Sequence, residues 1–114
     1  MPSATVPETD LARVRRWCAA SVPARVRNEV RVEHHVRGRS VTLCETRVPW
    51  DGVGDWTHHG FAQLRYRPDS ADWALYWPDR NGRWHEHVEG NRYVGSMDQL
   101  LAEVDDDPTA IFRG

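Results

Sequence analysis

Apolar positions recur along this chain with two periods, one helical and one alternating. The first helical stripe consists of Leu11, Val14 and Cys18. Just before it, Thr5 and Glu8 are three residues apart, which is typical of a capping box with Thr5 as the N-cap. Together these signals predict a helix over about residues 6–20, ending before Pro23.

A second helical stripe lies near the C-terminus. Ser96 and Gln99 have the spacing of another capping box. The apolar residues that follow at helical spacing are Met97, Leu100, Leu101 and Val104. They predict a helix over about residues 97–105.

Between the two helices the period falls to two, which predicts β-strands. The strand-like segments are VRNEVRVEHHV, SVTLCETRV, FAQLRYR, WALYW and RWHEHV. The fold class predicted is therefore α+β: an N-terminal helix, a five-stranded antiparallel β-meander over about residues 26–88, and a C-terminal helix. Both helices are expected on one face of the sheet, within a single domain spanning residues 1–114.

Two connections in the predicted sheet matter for function. Residues 49–60 form a long connection with Gly and Trp, and loops of that length in a small domain are usually functional or mobile. The turn Asp79–Gly82 permits either a two-residue Asn-Gly loop or a type I turn with a bulge at Gly82. A slip of one residue reverses the faces, so this turn leaves open which face His85 and His87 occupy.

The first hairpin can be predicted residue by residue, with Arg37-Gly38 as its loop. The opposite pairs would then be Val32 with Leu43, Val30 with Glu45, His34 with Val41, and Asn28 with Arg47. Because opposite residues share a face, Glu45 and Arg47 would project from the apolar side of the hairpin. A carboxylate and a guanidinium there should be paired, or lie at the margin of the sheet.

Composition narrows the class of protein. The formal net charge is −2, yet all fifteen basic residues are Arg, and fourteen of them lie between Leu11 and Gly95, where only ten acids stand. This local excess favours an anionic partner, although codon bias in a GC-rich genome explains an all-Arg usage equally well.

Cys18 and Cys44 lack metal-site spacing and are expected to be reduced. With no signal peptide or apolar membrane span, we expect a cytoplasmic protein.

Several stretches together resemble a bacterial family of small proteins known only as a domain of unknown function. They are VRNE, VRGRSVTLCETRVPW, LYW, RWH and DPTAIFRG, with Glu-x-Arg-x-x-Trp and the later Trp-His pair the most specific. The resemblance implies family positions at Arg27, Asn28, Gly38, Glu45, Arg47, Trp50, Tyr76, Trp77, Trp84, His85, Phe112 and Gly114. The family tail often reads Phe-Trp-Gly, where this chain has Arg113 in place of Trp. The resemblance implies no reaction.

The candidate catalytic residues are Glu45, Arg47 and His85. His85 would act as general base or acid, Glu45 would orient it, and Arg47 would hold an anionic substrate. The alternative is a structural ion pair that closes one end of the sheet, with His85 bonded nearby.

No metal site is predicted, because adjacent His34 and His35 point to opposite faces and no Cys cluster or HExxH motif supplies further ligands. No cofactor fingerprint is present either.

The aromatic and basic content favours a binding surface. Arginines interleaved with aromatics on a sheet are how several single-strand binders stack bases and follow phosphates. The candidate ligand-binding residues are Arg27, Asn28, Arg47, Trp50, Trp56, Tyr76 and Trp84. We therefore predict a small binding module with an anionic partner, nucleic acid or an acidic protein surface. A small hydrolase or nuclease-like enzyme using Glu45, Arg47 and His85 is the alternative, and a structural subunit that forms a homodimer is a third possibility.

Overall fold

The computed structural model describes residues 6–49, 51–107 and 112, and it confirms the α+β architecture. Its elements are α1 (Glu8–Ala20), β1 (Val30–Arg37), β2 (Ser40–Arg47), β3 (Thr57–Arg67), β4 (Asp72–Pro78), β5 (Trp84–Glu86), β6 (Val94–Gly95) and α2 (Met97–Asp106). Strands β1 to β5 form an antiparallel meander in chain order, and β6 pairs with β4. The two-residue strand β6 was not predicted.

The core lies between the helices and one face of the sheet, here called the inner face. Alternate strand residues with apolar side chains point inward, and they pack against both helical stripes. The largest core side chains from the strands are Trp73, Leu43, Leu64 and Leu75, and those from α2 are Met97 and Leu100. Indole nitrogens link the elements around this core: Trp73 Nε1 of the sheet donates to Asp10 of α1 at 2.9 Å, and Trp17 Nε1 of α1 donates to Asp105 of α2 at 3.1 Å.

The first helix starts later than predicted. Pro7 is the N-cap and Glu8 the first helical residue, so Glu8 does not close a capping box. Thr5 lies outside the described residues. Proline is favoured at helix starts because its fixed φ suits the entry and a first-turn N–H would have no partner in any case. The C-terminal capping box is confirmed, with Ser96 accepting from the Gln99 N–H and Gln99 accepting from the Ser96 N–H.

The predicted register of the first hairpin is wrong by two residues. Its loop is Gly38-Arg39, in which Gly38 has φ +59°, as a type II′ turn requires at its first central position. Val30 therefore faces Arg47 and Val32 faces Glu45. A shift of two keeps every side chain on its predicted face, so Glu45 and Arg47 still share the inner side with the valines. Asn28 lies before β1, which starts at Val30, and does not face Arg47.

Strand β3 corrects the predicted loop 49–60. The strand begins at Thr57, so His58 and His59 belong to it and the connection from β2 is shorter. The β2–β3 register shifts between Leu43 and Cys44, leaving Phe61 as the extra residue of a β-bulge. Before the bulge His59 points inward, and after it Ala62 and Leu64 do. Phe61 is itself buried in the core.

The β4–β5 turn adopts the second of its two possible registers. Gly82 N–H donates to the Asp79 carbonyl at 3.0 Å, and Gly82 has φ +80°. Trp77 then lies opposite His85, and their rings stack with centroids 4.7 Å apart. His85 and His87 thus share the inner side with Trp77.

Candidate functional site

Both helices pack on the inner face, so the opposite face of the sheet, here called the outer face, has no helical cover. Its residues follow from strand pairing: opposite residues share a face, and the pattern alternates along each strand. From β1 to β5 it consists of Arg31, Glu33, His35, Arg37, Ser40, Thr42, Cys44, Thr46, His58, Gly60, Gln63, Arg65, Arg67, Asp72, Ala74, Tyr76, Pro78, Trp84 and Glu86.

One arginine of the outer face lies over an aromatic ring. The Arg65 guanidinium carbon is 3.9 Å from the centroid of Tyr76. Gln63 holds it there, since Arg65 Nε donates to Gln63 Oε1 at 2.7 Å and Gln63 Nε2 donates to Thr42 Oγ1 at 2.9 Å. Polar contacts between two strands and the ring of a third therefore hold the guanidinium group, and no group among the described residues bonds to its terminal nitrogens.

A second such pair lies at the other end of the outer face. The Arg31 guanidinium carbon is 4.6 Å from the centroid of Trp56, and its Nε donates to the Arg27 carbonyl at 3.1 Å. The Arg31 and Arg65 positions are separated by six residues along β2, from Thr46 to Ser40, which is about 20 Å of strand. The outer face thus carries two guanidinium–aromatic stacks along one line.

Between the two stacks the outer face is aromatic and polar. The Trp84 ring lies over Gly60, where an added Cβ would be 3.7 Å from it. Beside it, Thr46 donates to Glu33 Oε1 at 2.8 Å and lies 3.2 Å from His58 Nδ1. The single Thr46 hydroxyl proton is used on Glu33, so His58 Nδ1 is the donor in the second contact. Trp84, half-buried, thus belongs to this surface.

The charge of this surface comes from arginines that lack carboxylate partners. Within residues 6–49 and 51–107, neither Arg31 nor Arg65 forms an ion pair, and the same holds for Arg37 and Arg39 at the hairpin end. Arg67, in contrast, is paired with Asp72 at 2.7 Å, which raises the arginine's pKa and lowers that of the carboxyl. Four guanidinium groups therefore remain to meet an external anion.

A cleft of about 420 Å³ lies at the inner-side margin of the sheet. It is lined by Glu45, Arg47, His59, Phe61 and Phe112. Arg47 Nε donates to Glu45 Oε1 at 2.6 Å, and this hydrogen bond raises the pKa of the guanidinium. Of the two expectations for these residues, pairing is the one observed, with the arginine more than half exposed.

The structure does not bring His85 to Glu45 and Arg47. Strands β3 and β4 lie between β2 and β5, a separation of about 14 Å between backbones. His85 Nε2 instead lies 2.8 Å from Asp79 Oδ2, and this contact is the main cause that lowers the pKa of Asp79 to about 2. His59, opposite Glu45, is the imidazole that shares the cleft with them.

The other predicted binding residues are spread over the molecule. Arg27 and Asn28 are exposed before β1, and Arg27 Nη2 donates to the Ala19 carbonyl at 2.6 Å. Trp56, Tyr76 and Trp84 all lie on the outer face, as described above. Trp50 lies outside the described residues. Aromatic and basic candidates thus gather on the outer face, while Arg47 belongs to the cleft on the other side.

Sequence reasoning missed one buried polar pair. His87 Nε2 lies 2.8 Å from Glu103 Oε2, with both side chains almost completely buried. The Asn91 N–H donates to the same oxygen at 2.8 Å, and the Phe112 ring packs on His87 with centroids 4.7 Å apart. A signal was present, because Glu103 follows Leu100 by three residues on the apolar stripe of α2.

The surroundings of both cysteines favour the protonated thiol. Burial, followed by the neighbouring Cys44 and Glu33, raises the pKa of Cys18 to about 11, and burial likewise raises that of Cys44. Both are free thiols.

In the part of the chain that the structure describes, no three His, Cys, Asp or Glu side chains gather as metal ligands. Among the same residues, no helix is long and apolar enough to cross a membrane.

Comparison with known proteins identifies a family and no activity. A family model described as a domain of unknown function (DUF3024) matches residues 1–114. No curated protein and no solved structure matches the chain. The assignment of a role therefore depends on the two surfaces described above.

Proposed function

The chain belongs to the DUF3024 family, whose function is unknown, and we propose from its surface that it is a small binding module for an anionic partner, single-stranded nucleic acid. The strand would lie across the outer face. The observation that carries this proposal is the pair of guanidinium–aromatic stacks, Arg31 on Trp56 and Arg65 on Tyr76, on a sheet face without helical cover.

The stacks suit nucleic acid better than an acidic protein surface. A base can stack on a guanidinium plane or on the exposed part of an aromatic ring, whereas a protein carboxylate needs only the charge. Trp84 adds a third ring between the two stacks. The spacing of about 20 Å between the stacks allows one extended strand to reach both.

Electrostatics support the same partner. The phosphates of a bound strand would meet Arg31, Arg65 and the hairpin arginines, which have no carboxylate partners among residues 6–49 and 51–107. Such contacts make affinity fall with salt concentration. Shape-specific duplex binding needs groove-sized elements, and a sheet face with stacking rings favours unpaired bases.

The experiment is a salt titration of oligonucleotide binding, followed by fluorescence anisotropy. We expect Arg65→Ala to weaken binding of a labelled single strand about tenfold, since one stacking contact is lost. Arg16→Ala is the matched control, because it removes one exposed arginine from α1 on the helical side, and we expect a change within about twofold. Absence of binding to single strands at low salt, or equal effects of the two variants, would overturn the proposal.

The hydrolase alternative has less support from the geometry. Its proposed base, His85, stacks on Trp77 and contacts Asp79, while Glu45 and Arg47 line a cleft about 14 Å away along the sheet. General acid–base catalysis requires groups within hydrogen-bond reach of one substrate atom. The outer face is therefore the better-supported site.

A further inference from the structure

The two edges of the sheet differ in how well they are protected. On one side the strands are short: β5 has three residues and β6 has two, and β4 ends at Pro78. On the other side β1 has eight residues, contains no proline and runs in register with β2 without a bulge. Natural sheets protect an edge by brevity, proline, a bulge or charged side chains, because an open edge pairs with other strands. Of these devices β1 has only the charges of Arg31, Glu33 and Arg37.

The free hydrogen-bonding groups of β1 can be assigned from the hairpin. In a two-residue hairpin the closing pair, Arg37 and Ser40, is hydrogen-bonded, so odd-numbered residues of β1 face β2. The Val48 N–H bond to the Glu29 carbonyl agrees with this assignment. The N–H and C=O groups of the even-numbered residues, Val30 to Val36, therefore point away from the sheet. Among the described residues no loop or side chain bonds to them.

We propose that a second copy of this chain pairs with β1, antiparallel, with the two-fold axis at Val32. This register places Arg31 opposite Glu33 of the second copy, twice, and Glu29 opposite His35 of the second copy, also twice. Cross-strand pairs of opposite charge stabilise an antiparallel junction. The two five-stranded meanders would then form one continuous sheet.

The charge pattern of β1 selects this register over its neighbours. An axis at Glu33 would place the two Glu33 carboxylates opposite each other. An axis at His34 would place Arg31 opposite Arg37 of the second copy. An axis at His35 would place Glu33 opposite Arg37 twice, but also Arg31 opposite Arg39 twice. Like charges directly opposite each other are destabilising, and within β1 the axis at Val32 brings none together while it forms two Arg31–Glu33 pairs. Arg27, which this axis would place opposite Arg37, lies before the strand.

The surroundings of Val32 also fit a junction. A recess of about 220 Å³ with mostly apolar walls opens between α1 and β1, and Ala19, Val22 and Val32 line it. Pairing of two edges at Val32 would cover both recesses. The small side chain of Ala19, on the exposed side of α1, leaves room for the helix of the second copy. The junction would engage Arg31, which also lies on the proposed nucleic-acid surface, but the free backbone groups of β1 carry the inference without that proposal.

Charge reversal tests the junction and its register together. The intact chain is expected at twice its 13.2 kDa mass in light scattering after size exclusion, and in sedimentation equilibrium. Arg31→Glu and Glu33→Arg each turn two attractive pairs into repulsive ones, and each should raise the dimer dissociation constant by at least about tenfold. Mixing the two variants restores both pairs, so the mixture should form a heterodimer as stable as the parent.

The matched control is Arg37→Glu, which makes the same charge change on the same strand and face, outside the paired segment of this register. It should leave the dimer intact. Thermal unfolding of each variant separates a lost junction from a lost fold, and rescue by mixing requires folded partners. A chain that stays monomeric up to its solubility limit overturns the proposal. So does a dimer that neither single variant weakens, or single variants that the mixture does not rescue.

Discussion

At the scale of single residues, the contact between His87 and Glu103 is buried and closely surrounded. The two residues are 2% and 4% exposed. If one partner were removed, water could therefore not replace the hydrogen bond that the other loses. A buried charged or polar partner left alone costs several kcal/mol, about 3 to 5 for a broken pair. The pair also joins the end of β5 to α2, and Gly90 passes directly over it.

Gly90→Ala should destabilise the protein by about 3 kcal/mol, because the added Cβ would overlap His87 Nε2 and crowd Glu103 Oε2. Urea denaturation measures the loss as a lower midpoint. Gly60→Ala is the control: its Cβ would meet the Thr42 methyl at 3.4 Å, so we expect a change of about 1 kcal/mol or less. Equal losses in the two variants would contradict the overlap argument.

Asp79 makes a prediction about acid stability. His85 first, then the N–H groups of Arg83 and Asn81, lower its pKa from 3.8 to about 2. A carboxyl whose pKa is lower in the folded state adds stability above its unfolded pKa and loses it as pH falls through the folded value. The contribution should therefore disappear between about pH 4 and pH 2.

Asp79→Asn keeps an oxygen acceptor for the turn but removes the carboxylate, so stability should vary less with pH in that window. The measurement is the unfolding midpoint in urea at a series of pH values. Asp69→Asn, at an exposed acid in the β3–β4 turn, serves as the comparison and should keep the slope of the parent. A parental slope in Asp79→Asn would refute the assignment.

At the scale of elements, the two helices begin in different ways. α1 starts after Pro7, which has no side-chain acceptor to offer the first turn. α2 starts with the reciprocal contacts of Ser96 and Gln99, and the Gln99 N–H donates to Ser96 Oγ at 3.2 Å. α2 also carries Glu103, so the position of the buried pair depends on where this helix begins.

Ser96→Ala should cost about 1 kcal/mol, because one N–H of the first turn loses its acceptor. The measurement is again the urea midpoint, with an unchanged slope against urea concentration. Ser70→Ala removes a hydroxyl that donates to Asp72 in an exposed turn, and we expect it to cost about 0.5 kcal/mol or less. If both serines cost the same, the capping box is not what stabilises α2.

Local patterns also decided how much of these elements could be predicted. The apolar stripe and the capping box predicted the bounds of α2 to within one residue, and the alternation of apolar and polar residues predicted the central strands. The hairpin loop was misplaced because Gly38 serves as the first residue of a type II′ turn, a choice that a short sequence window leaves open. The bulge at Phe61 had no local signal, since it depends on pairing with β2.

At the scale of the whole molecule, the candidate site could be predicted only in part. Glu45 and Arg47 are two apart on one strand, so their pairing followed from local geometry. Their proposed meeting with His85 depended on strand order, and the meander places two strands between them. The stack of Arg65 on Tyr76 and the bond of His87 to Glu103 join residues from different elements, which alternation within a strand cannot reveal.

The extra residue at Phe61 has a consequence for how length changes would act on this molecule. It resets the alternation of β3, so that His59 and Leu64 point to the same side of the sheet although they are five positions apart. A single-residue insertion between His59 and Gly60 would exchange the surroundings of the two adjacent histidines. The same insertion directly after Leu64 would leave both histidines in place and move Arg65 from the outer face to the inner face. Tolerance to indels should therefore change abruptly within a few positions of one strand.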